Sequence, residues 1–61
     1  MKYQVGDRIK TTKYGTGVIV NILELRNFVT CYETILDETN KKKTVFWTEI
    51  VEVIEEYKIR S

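Results

Sequence analysis

Sixty-one residues, 43% of them hydrophobic and 31% charged, make a single small domain whose aromatics (Tyr3, Tyr14, Phe28, Tyr32, Phe46, Trp47 and Tyr57) can seed a core, which excludes disorder along the whole chain. One cysteine and no histidine exclude an internal disulfide framework and a zinc site of ordinary ligand set. Ten basic against nine acidic side chains leave a net charge of +1, too little for a strong whole-molecule field toward nucleic acid.

The three glycines all fall before residue 18, and there is no proline, so the glycines mark the turns. Gly6-Asp7 leads into a strand predicted at 7–11, with Ile9 facing inward and Arg8 and Lys10 outward. Thr12 to Gly17 forms a glycine-rich connection, and residues 18–25 are a longer strand dense in β-branched side chains. Arg26-Asn27 is a tight reversal into a third strand at 28–36. Polarity there does not alternate cleanly around Cys31-Tyr32-Glu33, which points to a bulge or to an end exposed on both faces.

The polar run Asp37 to Lys43 closes a hairpin into a fourth strand at 44–47. Beyond it the period is ambiguous, because Trp47, Ile50, Val51 and Ile54 also trace one helical face. The β-branched residues favour one helical turn at 48–50 and a short strand at 51–54, a terminal helix being the other reading. Residues 1–54 therefore read as one all-β domain and 55–61 as a tail. Five short strands would leave two exposed edges in an open sheet. Curling into a small antiparallel barrel shortens those edges and encloses Val5, Ile9, Val18, Val20, Ile22 and Val45.

Val5-Gly6-Asp7-Arg8-Ile9, followed by Lys13-Tyr14-Gly15-Thr16-Gly17-Val18-Ile19, resembles the opening of bacterial Tudor-like and KOW-like barrels of the SH3 type. Similar modules are the C-terminal part of UvrD/PcrA-type helicases and the RNA-polymerase-binding domain of CarD-type regulators. Gly6, Asp7, Ile9, Tyr14, Gly15, Gly17 and Val18 stand at the positions of that pattern, with Thr12 where histidine or serine is common. The resemblance spans residues 5–19 and implies a five-stranded SH3-like barrel. It also implies work on transcription or DNA-repair machinery, with RNA polymerase among the partners.

No constellation for catalysis is visible: Cys31 has no histidine to activate it, and Glu49, Glu52, Glu55 and Glu56 read as a solvated face rather than a metal site. The expected function is a non-enzymatic protein-binding adaptor or regulator, of the kind small bacterial or phage accessory proteins perform, with neither metal nor cofactor. Tyr14, Tyr32, Phe46 and Trp47 are its candidate partner-binding residues, because aromatics at a barrel mouth can anchor another protein. The strand at 28–36 is the candidate edge for adding a partner strand.

The alternative is a nucleic-acid-binding barrel that holds phosphates with Arg8, Lys10, Lys13, Lys41, Lys42 and Lys43 and stacks bases on Tyr14 or Trp47. No apolar run approaches the ~18 residues that span a bilayer, so no membrane partner is expected and the location expected is the cytoplasm. The state expected is a monomer or weak homo-oligomer, because so small a core gains from association.

Overall fold

The structure is a computed structural model, and it describes residues 3–24 and 30–56. The proposed reversal at Arg26-Asn27 and most of the proposed tail lie outside those residues. The strands are β1 (Arg8–Thr11), β2 (Gly15–Glu24), β3 (Thr30–Leu36), β4 (Lys42–Phe46) and β5 (Ile50–Glu55), with a single 3-10 turn, Trp47–Glu49, between the last two. They form one antiparallel sheet in the order β4-β3-β2-β1-β5, so the last strand returns to pair with the first, and β4 and β5 are its edges. The all-β reading holds. The sheet itself does not close into a barrel.

The first hairpin shows how sequence sets geometry. Thr12–Tyr14 make the turn, and the Thr11 hydroxyl closes it by accepting the Tyr14 N–H and donating to the Gly15 carbonyl, each at 2.9 Å. Gly15, at φ 78°, takes the left-handed conformation with which three-residue hairpin loops end. The strand thus begins at Gly15, three residues earlier than the composition suggests. A Cβ at Gly15 would meet nothing within 4 Å, so a side chain there is penalised by backbone conformation alone. Gly15→Val is expected to lower stability by more than ~1 kcal/mol and Gly15→Asn by less, because Asn tolerates positive φ. Urea midpoints of the two variants check this.

The core is a cluster of Ile9, Ile19, Tyr32, Val45 and Ile50, with Tyr3, Tyr14, Ile22 and Val53 packed against it. Ile9 and Val45 are core as the sequence implies, but Val20 is 41% exposed, Val5 is 48% exposed, and the fully buried β2 residue is Ile19. The cause is a bulge. Ile19 opposes Thr34 while Asn21 opposes Glu33, so Val20 is an extra residue that reverses the alternation of β2. Ile22 then returns to the core side.

The bulge expected at Cys31-Tyr32-Glu33 therefore sits on the partner strand, and the pairing of β3 with β4 is regular. Lost alternation in β3 reflects burial of Cys31 on the face opposite Tyr32. Because β3 lies between β2 and β4, it is an interior strand, which corrects its candidacy as an open edge.

Candidate functional site

Two of the four candidate aromatics belong to the fold. Tyr32 is only 4% exposed and meets Tyr3 edge to face, ring centroids 5.3 Å apart. Burial pushes its phenol above the ordinary tyrosine value. Tyr14 is half-buried against the same core. Phe46 and Trp47 are the exposed pair, at 42% and 52%, where β4 ends and the 3-10 turn begins.

Cross-strand register extends this pair into a surface. Leu23 opposes Cys31, and Cys31 opposes Phe46, so the three form a row across β2, β3 and β4 on the face away from the core. Cys31 is a buried free thiol, and its flanking residues Leu23 and Phe46 are exposed. The next row, Asn21, Glu33 and Thr44, is polar: the Asn21 amide donates to Glu33 at 3.1 Å, and Lys42 Nζ lies 3.9 Å from the same carboxylate oxygen. Exposed apolar groups with a polar margin are the usual anatomy of a protein-binding patch; here Leu23 and Phe46 supply them on either side of the buried Cys31.

Glu49 fixes the corner that carries Phe46 and Trp47. Its Oε1 accepts the Phe46 N–H at 3.1 Å, its Oε2 is 3.2 Å from Lys13 Nζ, and its carbonyl accepts the Thr12 N–H at 2.9 Å. One residue thus ties the 3-10 turn to the first hairpin. At the other end of the outer face, Asp37 accepts from the Thr16 hydroxyl at 2.7 Å and from the Arg8 guanidinium.

These contacts hold both carboxyls below their ordinary values: for Asp37 chiefly the Thr16 hydroxyl and then Arg8, for Glu49 chiefly the Phe46 N–H and then Lys13. Each carboxyl ionises more readily folded than unfolded. Its stabilisation is therefore complete above the ordinary carboxylate range and disappears as pH falls through the lowered value. Urea midpoints measured from neutral to strongly acid pH are expected to fall below that range, and an Asp37→Asn/Glu49→Gln variant to show a shallower fall.

The six candidate phosphate ligands are dispersed. Arg8, Lys13 and Lys42 are paired with Asp37, Glu49 and Glu33. Lys10 opposes Glu52 across the β1–β5 pair. Lys41 and Lys43 stand at the β4 edge without an ion pair among the described residues, three strands away from β1 in the sheet order. No group of carboxylates or cysteine that could hold a metal ion is present among the described residues. No helix there is long and apolar enough to cross a membrane.

Sequence reasoning missed Leu23 and the pinning role of Glu49. The first depends on a register that only the bulge at Val20 sets, and the second on a contact spanning residues 13 and 49. Comparisons with protein-family models, with curated proteins and with solved structures give no match to this chain.

Proposed function

We propose that this chain is a non-enzymatic protein-binding module, an adaptor or regulator that grips a partner at the Phe46–Trp47 corner and along the adjoining edge of β4. The observation that carries this reading is the exposure of both rings on a corner that Glu49 braces from two directions. Aromatic side chains lose little conformational entropy when they anchor a partner, and a braced corner loses less still. Leu23, exposed at the far end of the row, adds apolar surface on the same face, with Cys31 buried between it and Phe46.

A curled, SH3-like arrangement fits the return of β5 to β1 and the bond from Thr12 to Glu49, which brings the 3-10 turn back against the first hairpin. The resemblance of residues 5–19 to Tudor-like and KOW-like modules supplies the partner class, transcription or DNA-repair machinery, RNA polymerase included.

The test compares capture from an extract of the native cells by the intact chain and by Trp47→Ser. A partner identified by mass spectrometry, retained at high salt and lost with Trp47→Ser, supports the reading. Under the nucleic-acid alternative, the chain instead binds single-stranded or duplex oligonucleotides at about 50 mM salt and releases them steeply as salt rises. That result, with no salt-resistant protein partner, overturns the proposal.

A further inference from the structure

The edge of β4 carries more information than its exposure. In an antiparallel ladder, bonded and non-bonded pairs alternate. The Leu36 N–H donates to the Lys41 carbonyl at 2.9 Å, so Thr34/Lys43 and Tyr32/Val45 are the next bonded pairs. The N–H and C=O groups of Lys42 and Thr44 therefore face away from β3. Phe46 follows the same parity: its outward N–H is the one taken by Glu49 at 3.1 Å. Among the described residues no partner takes these groups, so β4 offers two donor–acceptor pairs in unbroken register, ending in a capped donor beside an exposed aromatic.

β5 differs. Its register with β1 shifts twice, Val51 and Ile54 being the extra residues, and bulges of this kind spoil an edge as a template.

Side chains along β4 run from basic to apolar. Lys41 precedes it, Lys42 and Lys43 occupy its start, Val45 and Phe46 its end, and Trp47 follows. We infer that the β4 edge accepts an extended partner segment, antiparallel, that reads apolar at its N-terminal end and acidic at its C-terminal end. Opposite Phe46 and Val45 it places an aromatic or β-branched pair, opposite Thr44 a small polar residue, and opposite Lys43, Lys42 and Lys41 carboxylates. This rests on the protein-binding reading above and names the chemistry of the partner at that site. Charge complementarity selects this occupant: β5 of a second copy is acidic through Glu52 and Glu55 but is bulged, and a phosphate backbone offers neither strand hydrogen bonds nor apolar residues for Phe46.

The test is an amide-resolved NMR titration of the full chain with a capped peptide whose centre reads Phe-Ile-Thr-Glu-Glu-Glu. Shifts confined to residues 41–47, with new exchange protection of the Lys42 and Thr44 amides, are expected. Lys41→Glu/Lys43→Glu should weaken binding about tenfold and should bind instead a peptide with lysines in place of the glutamates. Thr44→Pro removes an outward donor without touching the β3 ladder, so it should abolish binding while the core amides keep their shifts.

Equal affinity for the acidic and lysine peptides overturns the inference. So do shifts on β5 or on the β2 face alone, concentration-dependent shifts at residues 41–47 without peptide, or displacement of the peptide by an oligonucleotide at the same amides. Failure here alongside Trp47-dependent capture of an identified protein would leave the adaptor reading intact and remove only the acidic-strand partner.

Discussion

Ile19→Ala is expected to abolish the cooperative unfolding transition, whereas Val20→Ala leaves it nearly in place. Ile19 is fully buried at the centre of the cluster formed with Ile9, Tyr32, Val45 and Ile50. Removing three carbons from such a position costs about 2–5 kcal/mol, because the transfer energy is lost and the surrounding side chains cannot fill the cavity. A core of this size rarely supplies more than ~3–5 kcal/mol in total, so most of the population should unfold at room temperature. Val20, 41% exposed on the bulge, should lose less than about 1 kcal/mol. The paired measurement is a urea titration followed by tryptophan fluorescence and by far-ultraviolet circular dichroism. The opposite order would mean that β2 runs without its bulge and buries Val18, Val20 and Ile22.

That contrast locates what residues alone can specify. Strand content, the succession of five strands along the chain, the glycine-assisted first hairpin and the helical turn before β5 follow from local chemistry: β-branched runs, Gly15 at a left-handed position, and a polar stretch from Asp37 to Lys41 in which Asn40 adopts φ 59°. Each is decided within a few residues.

Facing is decided elsewhere. One extra residue in β2 inverts every position before it relative to those after, and nothing in a run of Val18-Ile19-Val20-Asn21-Ile22 says where the ladder slips. The interior position of β3 likewise depends on which strands pair, a long-range choice.

The candidate site divides in the same way. Residue type marks Tyr14, Tyr32, Phe46 and Trp47 as candidates without saying which of them face water, and Phe46 and Trp47 are the two that do. That Tyr32 is withdrawn into the core follows from its pairing with Val45, which no periodicity within β3 declares. The dispersal of the cations is also a tertiary result: Arg8 meets Asp37, and Lys13 meets Glu49, across gaps of 29 and 36 residues. Net charge read along the chain would have grouped them.

Gly17→Ala should be the most damaging single methyl added to the chain. Gly17 lies on β2 opposite Leu36 of β3 and Ile9 of β1, between two strands that hold it by backbone pairing. A Cβ there would sit 2.7 Å from the Ile35 carbonyl oxygen and 2.7 Å from Thr34 Cγ2. The first neighbour is backbone and cannot rotate away. β3 must then move from β2, breaking the pairing of the two longest strands, and a loss exceeding ~2 kcal/mol is expected.

Thr34→Ser separates the two collisions. It removes Cγ2 but keeps the hydroxyl that donates to the Tyr32 carbonyl at 3.3 Å. Measured against Thr34→Ser alone, Gly17→Ala should cost less than it does in the parent chain; that difference is the recovery, and the cost that remains measures the clash with the Ile35 oxygen. Full recovery would show that the side chain alone sets the limit, and no recovery that the backbone does. In either of those cases the close approach of β2 to β3 at this glycine would owe nothing to the other neighbour.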